Sequence, residues 1–506
     1  MRDSRESEIY RYFNRAQHQP TSSDVVLVQC VEDLYYFGLF GQIISSLRGR
    51  RPIRVEQFVL KSLRVGESSS PIKFFGYRFI NGLLGSKWTG LYNSYCDGVG
   101  YRSADLRFPV GDFIDIFRAF SCWRSLVTKD ALISLKIDDV QVGDLINDSF
   151  LRFKPEPTVD LGDIYLWVVI WQAYRDVRRA KKYFTRVKPK LYLTSYSTYV
   201  QHGIAVRVAL QQGVRVFSFC NWQELAKELS IGDWVHTQNP DAYADEFSMM
   251  ENQEQKLAEA DAALAARMSG ANDNAIAYMK RSAYVESGEP VPDVHGALVI
   301  FLHDFFDSPH VYRDMVFPDF WEWVCVTIET LQAANTCFFL KPHPNQTAQS
   351  NDVLSKLKQR YPSVSIISSK ISNKQLAQAG LACAVTVYGT VAHEMAYLGV
   401  PTISCARHPH ISFNFCKTAK NKAEYADFLR RYAEIDFDKL EMRRQSLIFY
   451  YMHNLNKSAE DKSLWGAVFN FLDGCQNTAC KDQELVDLLD RILKHPAFNA
   501  YVSRLL

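Results

Sequence analysis

Between residues 297 and 405 short apolar runs alternate with helical stretches, and this alternation constrains the fold more than any other feature. ALVIFLH (297–303) has the length and apolarity of a buried strand, and DFWEWVCVTIETLQAAN follows at helical spacing. TCFFLKPHP is a second strand, DVLSKLKQRY a helix, SVSIISS a third strand and NKQLAQAG a short helix closed by glycine. LACAVTVYG, TVAHEMAYLG and VPTISC complete the series as strand, helix and strand. Strands separated by helices must run parallel, because each crossover returns the chain to the same edge, so a doubly wound α/β domain is expected here.

Earlier segments repeat the pattern less regularly. DVVLVQC reads as a strand running into the helix DLYYFGLFGQIISSLR, and PIRVEQFVL (52–60) as a further extended run. KLYLTSYS, TYVQHG, IAVRVALQQG and VRVFSFC form a strand–turn–helix–strand unit over 190–220. A long amphipathic helix is expected over 163–184, while 61–160 shows no clear period. The segment 241–296 reads as polar and helical, ending in VESGEPVPDVHG, whose prolines and glycines suit a linker. Three parts are therefore expected: an N-terminal Rossmann-like domain over 1–290, a C-terminal one over 291–430, and helices over 431–506 packing back on the N-terminal half.

At 506 residues the chain is long enough for two or three cores. A net charge of +2 gives no basis for nucleic-acid binding. The start is polar throughout, unlike a signal peptide, and YLWVVIWQAY reaches only about half the ~20 apolar residues that cross a bilayer. The eleven cysteines lack paired spacing and read as reduced core thiols of a cytoplasmic protein.

Ligands of an open parallel sheet bind beyond the carboxyl ends of its strands. In the second half those ends carry His303 and Asp304, then Lys341, His343 and Asn345, then Tyr388, Gly389, Thr390, His393 and Glu394, and last His408 and His410. Six of the twelve histidines fall between 303 and 410, which marks a site. Gly389-Thr390 opens a helix directly after a strand, where free N–H groups and the helix dipole suit a phosphate. Glu394, one turn on, is placed to accept ribose hydroxyls, and Lys341 and His343 to neutralise a leaving phosphate. Against this, Gly-Thr is also an ordinary cap and a helical glutamate is commonly a solvated residue. His408 and His410 form an H-x-H with no carboxylate at ligand spacing, so they read as loop residues and no metal is expected. No GxGxxG or P-loop pattern occurs, and no cofactor is expected.

The order strand–KPHP–helix followed by YGTVAHEMAYLGVPTIS resembles the nucleotide-binding half of GT-B glycosyltransferases, in particular capsule and lipopolysaccharide synthesis proteins including Kdo transferases. The resemblance implies two Rossmann-like domains facing a cleft, phosphate contact by His343 and Pro344, and nucleotide contact by Glu394. VGDLINDSFLR and the 195–216 segment also look like parts of surface-carbohydrate synthesis proteins. The implied activity is metal-independent transfer of a sugar from a nucleotide-sugar, with CMP-sugars such as CMP-Kdo favoured, to a growing surface glycan or a lipid-linked acceptor. Candidate catalytic residues are His202, in the turn of the strand–helix–strand unit, Asp33 at the end of the first strand, and Asp304. Arg175–Lys190 offers peripheral contact with an anionic inner membrane, or simply a solvated helix end. A sugar-nucleotide 2-epimerase and a non-catalytic subunit of a polysaccharide assembly complex are the alternatives.

Overall fold

The computed structural model describes residues 4–14, 23–60, 87–102, 110–154, 156–219, 224–238, 241–270, 284, 288–344, 346–435 and 437–505. Cys220 and Asn345 lie outside them. The chain divides into two compact units: Met1–Lys154, Asp160–His236 and Lys457–Leu506 form the first, Pro155–Val159 and Thr237–Asn456 the second.

The first unit is built on β1 (Val25–Cys30), β2 (Arg54–Val59), β3 (Gly98–Arg102), β6 (Leu191–Thr194), β7 (Arg215–Ser218) and β8 (Lys227–Leu229), in the order β3-β2-β1-β6-β7-β8. All pairs are parallel except β7 with β8. Between them, Lys136–Ile137 (β4) and Val140–Gln141 (β5) form a small antiparallel ribbon. β1 is buried along its whole length because helices cover both faces of the sheet, which is why its sequence shows a continuous apolar run and no alternation. The helices Ala459–Gln476, Asp482–Lys494 and Pro496–Leu505 bury Phe471, Leu485, Leu489, Phe498 and Val502 in the same core as Phe37 and Phe40 of the helix Leu34–Arg48. Gly38 makes this possible: a Cβ there would collide with the ring of Phe471.

The second unit carries β9 (Leu298–Phe301), β10 (Phe338–Lys341), β11 (Ser365–Ile366), β12 (Cys383–Val385), β13 (Thr402–Ser404) and β14 (Cys416–Thr418). Their order is β11-β10-β9-β12-β13-β14 and every pair is parallel. Numbered within the unit, this is 3-2-1-4-5-6, the doubly wound order of nucleotide-binding sheets. The five strands expected between 297 and 405 are present, and β14 is added as a sixth at the edge. The segment 241–270 and the helix Lys439–Tyr450 belong to this unit as well. Leu257, Leu264, Met442 and Phe449 share one core with Ala392 and Ala396 of the helix Val391–Tyr397. The C-terminal tail is thus divided, its 439–455 part in the second unit and its last three helices in the first.

The helix Ile164–Val187 spans the expected amphipathic stretch, and its basic face is largely used inside the first unit. Asp112, fully buried on the helix Val110–Ser125, accepts from Arg175 Nε at 2.7 Å and Arg179 Nη2 at 3.2 Å, and pairs with Arg178; Arg178 Nε also reaches Asp115 at 2.8 Å. Three of the arginines read as a membrane contact or a solvated helix end therefore serve an internal ion network. Among the described residues no helix is long and apolar enough to cross a membrane.

Candidate functional site

In both units the strand order reverses beside the first strand, between β1 and β6 and between β9 and β12, the place where doubly wound sheets bind ligands. Polar side chains collect at both places.

In the second unit His303, just beyond β9, and Thr386, just beyond β12, meet across the reversal, with Nε2 and Oγ1 3.1 Å apart. The His303 ring lies parallel to Phe320 at 4.9 Å and against Tyr388 at 4.6 Å. Burial among these rings, with His343 adding to it, pushes its pKa down to about 3, so it is neutral at physiological pH. The Thr386 hydroxyl also accepts from the Gly389 N–H at 3.3 Å. A Cβ on Gly389 would come within 2.8 Å of that same oxygen, so this turn needs the glycine for close approach. Thr390 begins the helix Val391–Tyr397 in helical geometry, and its side chain does not cap it.

The neighbouring strand end supplies charge. Lys341, the last residue of β10, is 4% exposed, with its Nζ 5.6 Å from the centre of the Phe301 ring. Burial lowers its pKa to about 8 against the opposing pull of Glu394. His343, half-buried two residues on, is lowered by burial; Asp304 pulls it up and Lys341 adds to the lowering. Pro344 follows it in the same loop, half-buried.

Several predicted residues are occupied with the protein itself. Asp304 accepts from Phe306 N at 3.0 Å, Ser350 Oγ at 2.9 Å and Thr347 Oγ1 at 3.2 Å through Oδ1, and from Thr347 N at 2.7 Å through Oδ2. It ties the loop after β9 to the start of the helix Ala348–Arg360, and both its oxygens accept from protein groups. The Tyr388 hydroxyl donates to the Ser308 carbonyl at 3.0 Å, so this residue shapes the wall through its ring. His393 is buried beneath its helix against Phe449, with burial holding its pKa far below the usual range.

Glu394 is 2% exposed and both its oxygens hold protein donors. Oε1 accepts from Tyr284 at 2.6 Å and lies 3.4 Å from Arg267 Nη2, while Oε2 accepts from Asn373 at 2.8 Å. Arg267, Tyr284 and Asn373 were not singled out from sequence. Arg267 and Tyr284 come from the polar stretch read as approach to a linker, and Asn373 sits one residue after the Ser372 of a capping box.

In the first unit Gln29 on β1 stands at the reversal. Its Oε1 accepts from Ser195 N at 3.0 Å and Ser195 Oγ at 2.7 Å, and its Nε2 stands 3.1 Å from His202 Nδ1. A backbone N–H can only donate, so the Gln29 amide is fixed with its nitrogen toward His202. Nδ1 then accepts, and in the neutral ring Nε2 carries the proton. Burial lowers the His202 pKa to about 4, which keeps the ring in that form. His202 Nε2 in turn lies 3.4 Å from Gln201 Nε2, so protein amides meet both ring nitrogens. Ser197 Oγ accepts from His236 N at 2.8 Å and lies 3.1 Å from His236 Nδ1, and the His236 ring packs 4.1 Å from Tyr196. Asp33 is exposed and caps the helix Leu34–Arg48, accepting from Tyr35 N at 2.8 Å and Tyr36 N at 3.3 Å. Gln29 and Ser195–Ser197 were the missed residues here, and a glutamine inside a continuous apolar strand was the available signal.

No protein-family model matches the chain, and no curated protein does. Solved structures similar to it include KpsC, a beta Kdo 2,4 transferase of Thermosulfurimonas dismutans, at 14% identity over 51% of this chain and 79% of that one, with a TM-score of 0.31. MurG of Acinetobacter baumannii shares 9% identity over 88% of this chain and 98% of that one, TM-score 0.26. A UDP-GlcNAc 2-epimerase from Neisseria meningitidis bound to UDP-GlcNAc shares 9% over 84% and 98%, TM-score 0.24.

Proposed function

We propose that the chain is a glycosyltransferase of the GT-B type, with its nucleotide-sugar donor held by the second unit and its acceptor by the first. The observation that carries this reading is the convergence of His303, Thr386 and Gly389 at the reversal of the second sheet, with Lys341 and His343 at the adjoining strand end. A diphosphate or monophosphate seated there meets the Thr390 N–H at the helix start, a neutral histidine able to donate, and a lysine still cationic at neutral pH. The motif resemblance of KPHP and YGTVAHEMAYLGVP points to the same residues.

In this reading Lys341 neutralises charge and His343 donates a hydrogen bond as the sugar leaves, which stabilises the transition state more than the ground state. Glu394 acts through Asn373 and Arg267 and through its pull on Lys341, positioning the donor pocket. Among nucleotides a cytidine donor is favoured by the His343-Pro344 likeness. Its acceptor is a surface glycan or a lipid-linked precursor, held by the first unit.

The test is incubation of the purified chain with CMP-, UDP- and GDP-sugars, with and without glycan acceptors, followed by chromatography of the products. Release of nucleotide that depends on acceptor supports transfer. Conversion of a donor to its epimer without acceptor replaces this reading by the epimerase, and absence of any turnover or binding by the non-catalytic subunit.

A further inference from the structure

Beneath the helix Val391–Tyr397, His408 and His410 of the loop before β14 and Cys416 of β14 bring three metal-binding side chains together. One donor atom from each lies within 4.8 Å of the others, and all three residues are buried. The two imidazoles stack with centroids 3.7 Å apart, and His410 also stacks on Phe415 at 5.2 Å. Nothing in the proposed sugar transfer uses these groups.

We infer that His408, His410 and Cys416 form a zinc site that fastens the loop between β13 and β14 to the sheet edge. Two observations carry it beyond proximity. His408 keeps Nε2 2.7 Å from Thr418 Oγ1, while its buried Nδ1 has no hydrogen-bond partner. A ligating histidine has this division, one nitrogen oriented by an outer partner and the other left for the metal. The outer shell is also continuous: Cys416 Sγ lies 3.3 Å from Ser404 Oγ, which lies 2.8 Å from the same Thr418 oxygen. One hydrogen-bonded pair of hydroxyls thus orients two of the three ligands.

The donor set selects the ion. Two imidazoles and one thiolate without a carboxylate suit zinc over magnesium or calcium, which require oxygen ligands. Binding forms a Zn–S bond and releases the Cys416 thiol proton to solvent. The sequence shows only the H-x-H because the thiol arrives from β14, a three-residue strand without an apolar run.

The full chain, stripped with a chelator and dialysed, is titrated with Zn²⁺ and separately with Co²⁺. One equivalent per chain is expected, with a thiolate-to-cobalt charge-transfer band that disappears in Cys416→Ser. X-ray absorption at the zinc edge of the wild type, which needs no variant to fold, should show one sulfur and imidazole scatterers. No stoichiometric binding, a cobalt spectrum without the thiolate band, a band that persists in Cys416→Ser, or a zinc shell without sulfur each overturns the inference.

Discussion

His303 Nε2 and Thr386 Oγ1 stand 3.1 Å apart, joining the residues beyond β9 and β12 at the point where the strand order of the second sheet reverses. The pair depends on Gly389, because a Cβ there would come 2.8 Å from the threonine oxygen. Gly389→Ala is therefore expected to destabilise the chain by about 1–3 kcal/mol, the usual cost of overpacking. It should also weaken nucleotide binding more than a distant variant of equal stability does. Denaturant unfolding and calorimetry on both variants check this, and unchanged nucleotide affinity in Gly389→Ala would contradict it.

Lys341 bears its charge at a cost. Removing the cation in Lys341→Met is expected to leave stability unchanged or raised, because a desolvated ammonium is lost. Nucleotide affinity should fall by roughly 10–100-fold, from losing a charge-assisted contact of about 1.5–3 kcal/mol. Since burial sets its pKa near about 8, wild-type affinity should decline as pH rises through that value. Isothermal titration from pH 6.5 to 9.5 reads this directly, and Lys341→Met should lack the alkaline limb.

Glu394→Ala leaves the buried Arg267 without its carboxylate. Breaking a buried pair from one side costs about 3–5 kcal/mol. Glu394→Gln, which still accepts from Tyr284, should cost less. Urea unfolding of the two variants separates them; an alanine variant within about 1 kcal/mol of wild type would contradict the network, since that is below the cost of any unpaired buried ion.

Burial holds His202 near about 4 and both His236 and His303 near about 3 in the folded chain, below the usual value for histidine. The unfolded chain then binds more protons below about pH 6.5, so stability present above that pH is lost as pH falls toward 4. Each such histidine contributes a slope of at most about 1.4 kcal/mol per pH unit. The melting temperature should drop between pH 7 and 5, and less steeply in His303→Gln. Equal slopes in the two would count against this assignment.

The second sheet was legible because its strands are buried on both faces, so each appears as an apolar run, while the helices between them keep their own period. β14 was not, since a three-residue edge strand reading CKT has no such run. β3, with the sequence GVGYR, is half-exposed and escaped for the same reason. Strand-end position alone singles out His303, Lys341 and Gly389. It could not reveal Thr386, absorbed into an apolar run, or Arg267 and Tyr284, which reach Glu394 from far along the chain. Asp33 and Asp304 show the converse: a carboxylate at a strand end serves a helix cap or a loop tie as readily as chemistry.

The most direct test of the account is calorimetric titration of CMP, CDP, UDP, GDP and ADP into the wild type and Thr386→Val. The account predicts saturable binding of one of these nucleotides, weakened about tenfold or more by loss of the hydroxyl that holds His303 and the Gly389 turn, equivalent to about 1.4 kcal/mol. Binding by none of them, or binding undiminished in Thr386→Val, would contradict a nucleotide site at this sheet edge.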